Sequence, residues 1–232
     1  MRAPIESGEP QGTGAQPGGP PLSTGDWAKI EIPEFMDLVR QGEHPRVLVG
    51  RIILDRLPFT FDSKQQYFHW RDELAEGLQV DGRDIMVVGS AATGRSLNPR
   101  KRFGVFGRGS DVDIAVVSAR HFDLAWQWFR HIDKTLLRLD PEGLRIFNQH
   151  ENQYIFHGMI AANYFLGYLP FGERWMQELQ RSEKHLPPVL RGRVQRVRIY
   201  KDNEALRHAQ MTSLAAYRSY LSTKESGEGG PT

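Results

Sequence analysis

The chain contains no cysteine. Disulfides and thiolate-held metals are therefore excluded, and a reducing compartment, the cytoplasm, is the expected setting. No run of about 18 apolar residues occurs, so no membrane span is expected. The N-terminus has no apolar core of the secretory kind, so no signal peptide is expected. Excess charge is also scarce. Thirty basic residues face 28 acidic ones, leaving a net charge of +2, which argues against a whole-protein basic field for nucleic acid. The histidines His121, His131, His150, His157, His185 and His208 show no HxxxH or HExxH spacing. A zinc site is not expected from them.

What is present is an ordinary globular composition, 39% hydrophobic and 25% charged over 232 residues, which suits one domain. Residues Met1 to Gly25 are rich in Gly, Pro, Ser and Gln and poor in apolar side chains. Such a segment cannot offset its ordering entropy and is expected to be disordered. Lys224 to Thr232 has the same character, which leaves a folded domain from Asp26 to Thr223.

Within that domain, Ile32, Phe35, Met36 and Val39 have helical spacing, predicting a short helix that ends near Gly42. A longer helix is predicted from Ser63 to Leu78, capped by Asp62 or Ser63, with Phe68, Leu74 and Leu78 inward. A short apolar run predicts a strand at Asp84–Gly89, and Asp111–Ser118 and Arg193–Tyr200 read as a second and a third. An amphipathic helix is predicted from Phe122 to Leu139, and another from Asn203 to Leu221. The stretch from Gly143 to His185 reads as mostly helix, broken by glycines and Pro170. Trp126, Trp128 and Trp175 read as core, and Tyr154–Gly158 as a buried helix end. Together these elements predict a mixed α/β (α+β) architecture, a small sheet flanked by helices with a helical middle and C-terminal portion.

The chemistry is concentrated in Asp111-Val-Asp113. Residues two apart on a strand project to one face. Two neighbouring carboxylates repel, and a divalent cation relieves that repulsion. Mg²⁺ prefers such oxygen ligands, completed by waters and substrate phosphates. Upstream, Gly89-Ser90 closes one apolar strand and opens a short helix. Backbone N–H groups there can hold phosphate, and glycine allows close approach.

This order, Val87-Val88-Gly89-Ser90 followed by Ser110-Asp111-Val112-Asp113-Ile114, resembles the nucleotidyltransferase superfamily, whose fold is that of DNA polymerase beta. The likeness covers about 31 residues, Val87 to Val117. The segment Arg193 to Leu221 also looks like the strand and closing helix of stand-alone bacterial members. The resemblance implies transfer of a nucleoside monophosphate from a nucleoside triphosphate, ATP among the candidates, to an acceptor, with release of pyrophosphate. It implies that Asp111 and Asp113 bind Mg²⁺, or Mn²⁺ in its place. It also implies that Gly89 and Ser90 hold the triphosphate, supported by Arg95 and Arg108. The acceptor stays open among nucleic acid, protein and small molecule.

The chain departs from the family pattern twice. The gap from Ser90 to Asp111 is long, and the third strand offers no carboxylate where the family has one; Asp202 lies just beyond it. This leaves a catalytically inactive nucleotide- or partner-binding module as the alternative. The segment Gly89-Ser-Ala-Ala-Thr-Gly-Arg95-Ser96 nearly matches the phosphate loop of P-loop NTPases, but Arg95 stands at the lysine position, and arginine is not an equivalent point charge. The basic loop Arg95–Arg108 reads either as an electropositive rim or as a mobile solvated loop. Its Phe103 and Phe106 are expected to pin it to the core. Arg196 and Arg198 fall on one strand face, read as facing solvent in preference to substrate phosphate.

Overall fold

The computed structural model describes residues 31–133, 135, 137 and 139–227. The segments 1–25 and 228–232, expected to be disordered, lie outside the described residues. The element order is α1 (Ile32–Arg40), α2 (Pro45–Val49), a turn of π-helix (Gly50–Leu54), α3 (Lys64–Leu78), β1 (Ile85–Val88), α4 (Ser90–Thr93), β2 (Val112–Val117), α5 (Ala119–His131), α6 (Pro141–Gln149), β3 (Met159–Ala161), α7 (Gly172–Ser182), β4 (Gln195–Tyr200) and α8 (Asn203–Gly227). The fold is mixed α/β, as the sequence predicts.

Among the described residues one four-stranded sheet forms, in the order β1-β2-β4-β3. β1 runs antiparallel to β2, with Val88 opposite Asp113; β2 runs parallel to β4, with Asp113 opposite Arg196. Strand alternation sorts the side chains onto two faces. Ile85, Val87, Val112, Ile114, Val116, Val197 and Ile199 join one core, with buried residues of α3, α5, α6 and α7. Met86, Val88, Ala115, Val117 and Tyr200 join the other, with α1, α2 and α8.

Local chemistry explains the helices that fix these layers. The Ser63 hydroxyl accepts from the Gln66 N–H and starts α3, whose Tyr67, Trp70, Leu74 and Leu78 recur at helical spacing and are buried. α5 begins at its Ser118 cap and stops at His131, well before Leu139. The Asp133 carboxylate there accepts from both the Thr135 N–H and hydroxyl, and this local turn competes with further helix. α8 runs on to Gly227, past the expected end at Leu221 and into the tail expected to be disordered.

Two further expectations are corrected. The stretch from Gly143 to His185 contains strand β3, only three residues long and too short to leave a period. Tyr154–Gly158 is not a buried helix end: Phe156 is 88% exposed. Trp175 is buried and Trp128 half-buried, but Trp126 lies at the surface, its ring covered by the Arg130 guanidinium at 4.9 Å. No helix among the described residues is long and apolar enough to cross a membrane.

Candidate phosphate and cation cleft

The second sheet face is apolar at one end and charged at the other. Alternation that turns Val112, Ile114 and Val116 into the first core turns Asp111 and Asp113 to the opposite side, beside Arg196 and Arg198 of the parallel neighbour. Asp111 Oδ2 pairs with Lys101 Nζ at 3.0 Å and with Arg196 Nε at 3.1 Å. Asp113 Oδ1 pairs with Arg198 Nη2 at 3.5 Å. The carboxylates are nearly covered, 13% and 15% exposed. The cations keep close to two-fifths of their side chains in solvent, so each pair contributes little net stability. Their consequence is electrostatic balance: three cations meet two anions.

Arg196 and Arg198 therefore pair with the carboxylates while remaining partly in solvent. Burial opposes the Arg198 charge, but Asp113 and the Tyr200 hydroxyl more than offset it, and the guanidinium is held above its ordinary range. Burial pushes the neighbouring Tyr200 phenol up, so it stays neutral at physiological pH.

Gly89 brings the Gly-Ser turn against this cluster. Its φ of +66° and ψ of −151° define a backbone conformation that glycine adopts readily. A Cβ there would sit 2.6 Å from Asp113 Oδ2. Ser90 follows, buried, at the start of the short helix α4. The cleft between these parts encloses ≈ 280 Å³ and is completed by Ser96, Asn98 and the α8 residues Gln210, Thr212 and Ser213.

Of the residues singled out in the sequence, Gly89, Ser90, Asp111 and Asp113 thus come together. Arg108 is exposed on a shallower hollow that shares Ser90, Ser96 and Lys101 with the cleft. Arg95 points elsewhere: its Nη1 donates to the Phe103 carbonyl at 2.8 Å, and it lines a separate hollow with Tyr217 and Tyr220. It ties down the basic loop. That loop folds back on itself, with Ser96 N–H donating to the Gly104 carbonyl and Phe106 N–H to that of Gly94. Phe103 is buried against Tyr217 and Tyr220, and Phe106 lies under the Arg193 guanidinium at 4.7 Å, so both pin the loop as expected.

Asp202 does not complete the site. It follows the far end of β4 and caps α8, accepting from the Ala205 N–H at 2.8 Å. Sequence reasoning assigned Arg196 and Arg198 to solvent, although an Arg-x-Arg strand beside an Asp-x-Asp strand was a usable signal. The polar face of α8 carried none, because which turn of a helix meets a cleft is a tertiary fact.

Among the described residues no group of three or more His, Cys, Asp or Glu side chains gathers to hold a metal ion. A hard divalent cation would take two carboxylates here and need its other oxygens from a ligand or water. Lys101, Arg196 and Arg198 would then be released toward that ligand's anionic groups. The donor set fits such an ion together with a polyphosphate better than the ion alone. No family model, curated protein or solved structure matches the chain.

Proposed function

We propose that this cleft binds a nucleoside triphosphate with Mg²⁺ and transfers the nucleoside monophosphate to an acceptor, as in the nucleotidyltransferases. The observation that carries the reading is the convergence of Asp113 with Gly89-Ser90 in one cleft, with Asp111 beside it, paired to the cleft residues Lys101 and Arg196. Asp111 and Asp113 would hold the cation, which supplies charge neutralisation at the phosphates and polarises the phosphorus under attack. Gly89 lets the chain approach the phosphates closely. Lys101, Arg196 and Arg198 line the cleft and could offset the triphosphate's charge and the charge that develops on the departing pyrophosphate. The acceptor oxygen would bond to the α-phosphorus as the bond to the pyrophosphate oxygen breaks. The cytoplasm, where nucleoside triphosphates are abundant, is the matching compartment.

One observation favours a second reading. Arg196, not a carboxylate, stands directly beside Asp113 on the neighbouring strand. A cleft without a third acid suits a module that binds nucleotide without transfer. The two readings separate on turnover. Purified protein would be incubated with each of the four α-³²P-labelled triphosphates and Mg²⁺ or Mn²⁺, alone and with cellular RNA or a metabolite extract. Label transfer by the wild type and not by Asp111→Ala/Asp113→Ala supports the enzyme. Metal-dependent binding without transfer supports the module, and neither binding nor transfer rejects both.

A further inference from the structure

A second opening lies at the other end of β1, where α3 of one layer meets the π-turn and α8 of the other. We infer that the groove between α3, the π-turn and the start of α8 is a separate binding site for a phosphorylated anion of nucleotide size. It is bounded by Arg83 and Met86 at the start of β1 and by Asn203 and Arg207 just after β4. The Asp–Arg cleft lies at the opposite strand ends, beyond Val88 and near Arg196. Neither opening shares a lining residue with the other. The inference does not depend on the transfer reading.

Three features converge. The first is size: the groove encloses ≈ 530 Å³, within the range that holds small ligands, and larger than the ≈ 280 Å³ cleft. The second is charge. Arg56, Lys64, Arg71, Arg83 and Arg207 line it, and Asp55 is the one carboxylate among its lining residues. Arg56 reaches Glu34 only at 3.4 Å, on an exposed side chain.

The third is preorganisation. The Arg71 guanidinium lies 4.9 Å from the Phe68 ring centre and 5.5 Å from that of Tyr67. Its side chain is only 19% exposed, its Nε makes no hydrogen bond, and the nearest carboxylate, Asp72, is 4.0 Å away and 69% exposed. A planar cation already fixed against aromatic rings loses little entropy on meeting a phosphate and can bind it through two nitrogens. Leu54, Leu57 and Met86 supply an apolar wall beside these cations. That combination selects an anion carrying a flat apolar group over bare phosphate. A nucleotide, free or at the end of a strand, has this chemistry.

The test is calorimetric titration of the full chain in EDTA with AMP, inorganic phosphate and decaadenylate. AMP should bind at least about tenfold more tightly than phosphate. Arg83→Ala/Arg207→Ala should weaken AMP at least about tenfold, and so should Arg71→Lys, which keeps the charge and loses the planar fork. Arg196→Gln/Arg198→Gln, which alters the Asp–Arg cleft, should leave AMP binding intact. Decaadenylate tighter than AMP identifies a strand as the source; equal affinity identifies the free nucleotide. Loss of AMP binding in the cleft variant alone overturns the inference, as does no binding at millimolar AMP. Equal weakening by Arg181→Ala, on an exposed side chain outside the groove's lining, would reduce the effect to bulk charge and overturn it too.

Discussion

The two faces of the sheet are built from the same four strands and do different work. One face is apolar along β1, β2 and β4 and is sealed by α3, α5, α6 and α7. It also encloses His121 and His150, 3% and 0% exposed. The other is apolar at one end and carries carboxylates and cations at the other, while a cationic groove opens where the two layers meet beside β1. Alternation lets one strand serve both: β2 presents Val112, Ile114 and Val116 to the sealed core and Asp113 to the cleft, with Asp111 just before it among the same cations. Stability and ligand chemistry should therefore be separable by mutation, face by face.

The largest expected effect is on the charged face. On the proposed function, Asp111→Asn/Asp113→Asn should lower label transfer from a triphosphate by more than about a hundredfold, since both proposed cation ligands lose their charge. The unfolding free energy should stay within about 1 kcal/mol of wild type, because these pairs are partly solvated. Retained transfer would remove the carboxylates from the site; global unfolding would collapse the distinction between the faces.

The sealed face should answer to acid. Burial, opposed by a hydrogen bond to the Ile146 carbonyl, lowers His150 to about 4, and burial with Arg120 lowers His121 to about 4. His150 Nδ1 lies 2.7 Å from the Ile146 carbonyl, while Nε2 accepts from the Ala161 N–H at 2.8 Å. The Ala161 contact requires the neutral form, because Nε2 can accept only when unprotonated, whereas the Ile146 contact survives protonation. The unfolded chain takes up these protons near pH 6.5 and the folded one only near pH 4. Their contribution is complete above about pH 6.5 and is lost as pH falls toward 4. The loss should reach at most about 1.4 kcal/mol per pH unit per histidine. Urea midpoints at pH 7, 6 and 5 should fall, less steeply in His150→Gln; midpoints independent of pH would contradict it.

Gly89 sits where the two behaviours meet. Gly89→Ala adds a Cβ at positive φ, 2.6 Å from Asp113 Oδ2. It should cost about 1–3 kcal/mol in denaturant unfolding and weaken triphosphate binding as well. A variant as stable as wild type would show that the turn relaxes freely.

The smallest effect is expected at Lys101, 42% exposed on its Asp111 pair. Lys101→Ala removes a cation that competes with a metal for that carboxylate. Mn²⁺ binding without nucleotide should tighten by up to about fivefold, equivalent to about 1 kcal/mol. Weaker binding would mean that Lys101 assists the ion.

Much of this was legible in the sequence where period and chemistry agreed. β1, β2 and β4 are each readable as strands, and Ser63 marks the start of α3. The order of Gly89-Ser90 and Asp111-Val-Asp113 located three of the residues that line the cleft and Asp111 beside it. β3 escaped because three residues define no period, and the end of α5 because a turn at Asp133 overrides an apolar spacing that continues past it. The position of Arg95 is tertiary: an arginine in a basic loop can serve a ligand or a backbone carbonyl, and here it serves Phe103. The groove at Arg71 left no local trace, since α3, the π-turn, β1 and α8 each contribute only a few of its residues.

The parallel pairing of β2 with β4 also orders the events of folding. Asp113 and Arg198 lie 85 positions apart in the chain, and everything from α5 to α7 intervenes. β1 and β2 are close enough to pair early, but β2 keeps an unpaired edge until β4 arrives. Such long-range closure is slow, and an open apolar edge is prone to join another chain. During synthesis, self-association should be greatest while β2 has emerged and β4 has not, and the cleft should be the last part of the molecule to mature.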